Sequence, residues 1–407
     1  MPSTPDLQTW RRVTKAEMIV HLDSMSERAQ QKKRKSRGPR GSALIIRTHL
    51  RPVDIYAYLR ARFGKPNGIQ TFLRKNDSDN LFHWDYQLKA GDADVHISGM
   101  SRTVHVTTTE ALSDEQWKET LLAFKAEFAR AGKAKSAMLR SFEKYVVFQN
   151  KFVALSALCA EHHEAIVDSE PHSLVLPKAT SSKRALNRYF SNVRAMGKRA
   201  TELYGHCLSL RLLTPIMAEA FINMLILTFC KDVVRNDATA FNEFIRSKIP
   251  QRLALLSEKC DGFAAPVDNR TQDYRDFLRV MNVRNFAIHG NVDPIREQIE
   301  TVYFEGKHPV FVDGGDNILK VFEHLEQINR PLEVARDYEA VHGFLHEITT
   351  YLTPRHKSFF EQVISDPYPG FEVHKKRATR ILPNHSVTSH FPGLRYDDEL
   401  DVDWTNT

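Results

Sequence analysis

Cysteine is scarce in this 407-residue chain. There are four, Cys159, Cys207, Cys230 and Cys260, without the paired spacing of a zinc knuckle or of a disulfide framework. That excludes a small stapled secreted fold and points to a reducing, cytoplasmic setting. Met1 to Trp10 lacks the apolar core of a secretory signal. No phosphate-loop or dinucleotide fingerprint occurs, and the glycines of Asp313-Gly314-Gly315-Asp316 read as a turn. A long hydrophobic run is also missing. The best stretch, Leu208 to Phe229, carries Arg211, Pro215, Glu219 and Asn223, and its unbroken part is shorter than the roughly 20 residues a bilayer requires. It predicts a buried core helix and no membrane partner.

Metal ligands at workable spacing are absent too. In Glu161-His162-His163-Glu164 the adjacent histidines diverge by roughly 100° on a helix, so the cluster reads as surface. No metal and no cofactor are expected.

What is present is unevenly placed charge. The net charge is +7, and Lys32, Lys33, Arg34, Lys35, Arg37 and Arg40 form a basic run around Gly38 and Pro39. Such a run suits a loosely held arm that contacts RNA phosphates. The far end is acidic, with Asp397, Asp398, Glu399, Asp401 and Asp403 beside Tyr396 and Trp404. It is expected to fold back onto a basic surface.

Between these ends lie two textures. Residues 42–133 predict strands at 42–50, 80–89, 93–99 and 103–109 with helices at 52–63 and 114–132, an α+β sandwich with an antiparallel sheet. Alternation assigns Trp84, Tyr86, Leu88, Val95, Ile97, Val104 and Val106 to the core face. It leaves His83, Asp85, His96 and His105 on an exposed polar face, with His96 opposite His105 across a two-residue turn at Met100-Ser101. A helical connector spans 134–181. Residues 182–355 read as helices at 182–205, 207–233, 241–259 with a kink at Pro250, 271–289 and 336–352, with a small β-hairpin inserted near 301–312. On the second of these, Glu219 and Asn223 share a face and need a polar partner.

The densest signal is Val283-Arg284-Asn285-Phe286-Ala287-Ile288-His289-Gly290. Arginine supplies a permanent cation for phosphate, and histidine takes and gives a proton near neutrality. A five-residue step turns roughly 140° on a helix, so Arg284 and His289 do not share a face. Gly290, Asn291 and Pro294 stop the helix there, which frees His289 to swing. Other arginine–histidine pairs lack this context: Arg199 and His206 have Gly205 between them, Arg336 and His342 have no stop, and Arg380 and His385 span Pro383.

This segment resembles the Arg-Asn-x-x-x-His signature of HEPN domains, over roughly residues 182–355. The resemblance implies an all-α HEPN-like helical bundle acting as a metal-independent endoribonuclease. Its site would be completed across a homodimer, with Arg284, Asn285 and His289 catalytic and Glu219 as the glutamate such domains commonly carry. It further implies a toxin or antiviral-defence effector, with an antitoxin or trigger protein as partner. The competing readings are a HEPN-like module that binds RNA or a nucleotide without cutting, and a structural interaction protein. The expected organisation is α+β multidomain: arm 1–41, α+β domain 42–133, connector 134–181, bundle 182–355 and tail 356–407.

Overall fold

The computed structural model describes residues 7–20, 41–73, 82–169, 182–288, 294–295, 298–312, 314, 317–381 and 394–404. The chain mixes helix with antiparallel sheet and divides into two compact units. One comprises Met1–Lys144 with Ile381–Thr407, the other Tyr145–Arg380.

The first unit is built on a six-stranded sheet. It contains β1 (Arg11–Arg12), β2 (Ser42–Ile46), helices α1 (Pro52–Phe63) and α2 (Ile69–Leu73), then β3 (Trp84–Ala90), β4 (Ala93–Gly99), β5 (Val104–Thr108), α3 (Asp114–Arg130) and α4 (Gly132–Arg140). The order is β1–β3–β4–β5–β2 plus a C-terminal strand, Arg395–Tyr396, which joins β2 in parallel while the other pairs are antiparallel. The period-two pattern buries Tyr86, Leu88, Val95, Ile97, Val104 and Val106 with Tyr58, Leu59, Trp117 and Phe124 of the covering helices. Each such side chain contributes about 2 kcal/mol by leaving water. α3 starts at a capping box in which Ser113 and Gln116 satisfy each other's backbone N–H.

The second unit contains β6 (Tyr145–Val147), α5 (Lys151–Val167), α6 (Lys183–Phe229), α7 (Asp232–Asn236), α8 (Ala238–Arg246), α9 (Ile249–Lys259) and α10 (Gln272–Ile288). The hairpin β7 (Val302–Glu305) and β8 (His308–Phe311) follows, then α11 (Asn317–Asn329), α12 (Pro331–Thr350), α13 (Pro354–Ile364), β9 (Gly370–Glu372) and β10 (Arg377–Thr379). α6 is the axis, and α5, α10, α12 and α13 pack on it around Met217, Phe221, Ile222, Leu225, Phe277, Phe344 and Phe360. Its most apolar eighteen-residue stretch has mean hydropathy 1.8, long enough to cross a bilayer, yet 61% of it is buried within the unit, as in a core helix.

Several expectations are corrected. The two helices expected at 182–205 and 207–233 are one continuous helix, Lys183–Phe229, because Gly205 costs only about 1 kcal/mol inside a helix and Pro215 is accommodated, buried, within it. Pro250 does not kink a helix; it opens α9 in the first turn, where proline's missing N–H is harmless. The helix expected at 336–352 is α12, Pro331–Thr350, and Pro354 begins the next, α13. Where it is described, the expected connector 134–181 is folded into both units: α4 packs in the first, while β6 and α5 belong to the second, whose cluster includes Cys159 and Ile166. The described part of the expected tail 356–407 is likewise folded in. Phe360 and Val363 are fully buried, β9 pairs with both β10 and β6, and residues 394–404 complete the first unit.

Candidate active site

The expected signature helix exists as α10. It runs antiparallel to α12: Tyr274 and Phe277 stack on Phe344 at 5.7 and 4.6 Å, and Arg279 donates to Asp337 at 2.7 Å. Phe277, Val280 and Met281 are buried, fixing the helix on its apolar stripe. Arg284 and Asn285 lie in its last turn, where only their backbone is described. His289 and Gly290 fall outside the described residues, as do Lys32, Lys33, Arg34, Lys35, Arg37 and Arg40.

Glu219 is placed elsewhere. Arg252 of α9, itself buried, donates to Glu219 Oε1 at 2.6 Å, to Asn223 Oδ1 at 2.7 Å and to the Ser247 carbonyl at 2.7 Å. The polar face of α6 thus meets a guanidinium on a neighbouring helix. The chain directions add a distance argument. α6 ends beside α9 and the start of α13, so it runs parallel to α12 and antiparallel to α10. Thr214 and Val280 face one cavity. Glu219 lies five residues from that level in one direction and Arg284 four in the other, an offset of roughly 13 Å along the helices. The backbone of the two helices thus sets Glu219 and Arg284 at different levels.

Arg211 is what the sequence reading missed. It lines the cavity with Thr214 of α6, Val280 of α10, and Val334, Asp337 and Tyr338 of α12, a space with room for about one water. Val280 is one helical turn before Arg284, so this cavity adjoins the signature turn. The Arg211 guanidinium donates to the Asn329 carbonyl at the end of α11, and burial pulls its pKa below the ordinary arginine value. Asp337 is held by Arg279. Burial pushes the Tyr338 hydroxyl up, keeping it a donor, and the enclosed Thr214 hydroxyl faces the Cys159 thiol. A charge inside an apolar run was the available signal, because a buried cation needs a reason.

The other candidates resolve differently. Asp85 is not on an exposed face: it is fully buried and accepts from the Gln70 and Thr71 N–H groups at 2.9 and 2.8 Å, from the Thr71 hydroxyl at 2.6 Å and from His96 Nε2 at 3.1 Å. It anchors α2, and a side chain at Gly68 would strike its carboxylate. His96 pairs with Thr107 and His105 with Ser98, because Met100 to Thr103 form a four-residue turn closed by a 2.9 Å hydrogen bond. The histidines of 161–164 are not free surface: His162 and His206 approach through Nδ1 at 3.0 Å, and His163 meets Glu339 at 3.0 Å. Among the described residues no group of three or more His, Cys, Asp or Glu is placed to hold a metal ion.

No family model, curated protein or solved structure matches this chain.

Chemically, the cavity lined by Val280 of α10 offers the half-buried Arg211 cation and the neutral Tyr338 phenol, a pair of donors suited to an anionic group.

Proposed function

We propose that the second unit is a HEPN-like bundle acting as a metal-independent endoribonuclease, within a cytoplasmic toxin or antiviral-defence effector. What supports the reading is that Arg284 and Asn285 lie near the end of α10, a packed bundle helix, one turn beyond Val280, which shares a cavity with the half-buried Arg211, and that His289 follows in sequence. Attack of the RNA 2'-hydroxyl on the adjacent phosphate forms the new P–O bond while the bond to the 5'-oxygen breaks, leaving a 2',3'-cyclic phosphate and a 5'-hydroxyl. His289 transfers protons, Arg284 stabilises the anionic phosphorane, and Asn285 orients the phosphate or His289.

With Glu219 paired to Arg252, one chain offers His289 as the proton-transfer group of this site, whereas the reaction removes one proton and supplies another. A homodimer that apposes two α10 ends supplies the second histidine. The deciding experiment incubates full-length protein with end-labelled RNA in EDTA and maps the termini. Cyclic phosphate ends that vanish in His289→Ala support the reading; full activity of His289→Ala, or strict dependence on magnesium, overturns it. RNA binding without cleavage would favour the non-catalytic reading.

A further inference from the structure

The first unit holds an anion in a built site, and that anion is its own side chain. Between β2 and α1 the N–H groups of Arg47, Thr48 and His49 converge on the Asp397 carboxylate, at 2.9 Å to Oδ1 and 3.2 and 3.0 Å to Oδ2. The Thr48 hydroxyl adds a fourth donor at 3.1 Å. Three successive backbone N–H groups at a strand-to-helix junction form a concavity suited to phosphate. Asp397 is completely buried in it.

The surroundings extend the likeness to a nucleic-acid site. Arg47 grips Asp398 through both Nε and Nη2, at 3.0 and 2.8 Å, and holds that carboxyl below its ordinary pKa. The same guanidinium lies 4.1 Å from the Tyr396 ring centre, and the His49 ring stacks on Trp404 at 4.9 Å, with Lys125 over the indole. Backbone donors, an arginine fork and stacked rings are the elements with which proteins hold single strands. The basic run 32–40 leads directly into β2. Among the described residues the occupying segment joins the sheet through Arg395 with Leu44 and Tyr396 with Ile45, in parallel on the edge of an otherwise antiparallel sheet, and Tyr396 and Leu400 anchor it by burial.

We propose that the Arg47–His49 turn is a phosphate site for single-stranded nucleic acid, and that residues 395–404 form an autoinhibitory strap whose Asp397 and Asp398 carboxylates stand in for phosphate oxygens. This inference is independent of whether the second unit cuts RNA. A nucleic-acid phosphate would take the same four donors and the Arg47 fork, lifting the strap off.

The test uses the full chain and a fluorescent single-stranded RNA oligonucleotide, with inorganic phosphate as competitor. Asp397→Asn with Asp398→Asn removes both negative charges and turns amide hydrogens toward the converging N–H groups. The double variant is expected to bind the RNA about tenfold more tightly, and Arg47→Gln added to it should cancel the gain. RNA affinity unchanged by the double substitution overturns the proposal, as does a gain for inorganic phosphate alone, which would mark a small-anion site. Should the double variant unfold, hydrogen exchange on the unaltered protein decides. RNA must then accelerate exchange in residues 395–404, and unchanged protection overturns the strap.

Discussion

Arg252 donates to Glu219 from a site in which it is itself buried, 2.6 Å away and one helix over. The pair connects α6 to α9, and the same guanidinium holds Asn223 and the Ser247 carbonyl. Removing the arginine strands acceptors inside the unit, so Arg252→Ala should destabilise by about 2–4 kcal/mol, somewhat less than a fully buried pair because Glu219 is one-third exposed. Glu219→Gln should cost less and leave RNA cleavage intact. Urea unfolding beside a cleavage assay separates the two effects, and loss of cleavage in a stably folded Glu219→Gln would restore that residue to the active site.

Arg211 and Arg284 should contribute differently. Arg284→Ala should abolish cleavage and Arg284→Lys should recover little, because lysine lacks the planar fork that grips phosphate. Arg211→Gln should reduce kcat/KM by about tenfold, as expected for one charge-assisted hydrogen bond. It should also lower stability by about 1 kcal/mol, since the guanidinium caps the carbonyl end of α11. Single-turnover kinetics with thermal melts would show whether loss of cleavage exceeds loss of fold.

Acid should weaken the second unit. The His162 and His206 Nδ1 atoms sit 3.0 Å apart, a geometry that leaves room for one proton between them. Burial, then the neighbouring His206, pushes the His162 pKa down; burial, then His163, does the same to His342. A histidine depressed in the folded state binds protons more readily when unfolded. Its stabilisation is therefore complete above the ordinary histidine pKa near 6.5 and is lost as pH falls toward the depressed value. The unfolding midpoint should be flat above about pH 7 and fall below it, with a shallower slope in His162→Gln. An identical slope in that variant would remove the pair from the explanation.

Deleting residues 28–40 removes seven cations, Arg28, Lys32, Lys33, Arg34, Lys35, Arg37 and Arg40. Single-stranded RNA should bind more weakly, with the log–log salt slope flattening by roughly 0.7 for each phosphate no longer neutralised. The rate at saturating RNA should stay the same. An unchanged salt slope would show that the arm does not touch RNA.

Local chemistry was legible in the sequence where period and punctuation agreed. The β3–β4–β5 meander, α1, α3, α10 and the 302–311 hairpin follow from alternation, helical spacing and turn residues. Asp85 was misplaced because period-two logic assigns a face without knowing that α2 covers it. The α6 axis was split at Gly205 because its packing against α5 outweighs a modest propensity penalty. Glu219 announced that it needed a partner, yet nothing local identifies Arg252, which lies 33 residues on. The fit of Asp397 to Arg47–His49 spans 348 to 350 residues, far beyond what any spacing rule reports.

The first unit is assembled from two separated stretches of chain, with the whole second unit inserted between them. Synthesis runs in one direction at roughly 5–20 residues per second, so the inserted unit is complete before residues 395–404 emerge. For some tens of seconds, on the order of 350 residues of synthesis, β2 keeps an unpaired edge and the Arg47–His49 turn has no carboxylate to hold. The outer unit therefore closes after the inserted one, and a nascent chain would be most receptive to a phosphate ligand before residues 395–404 arrive.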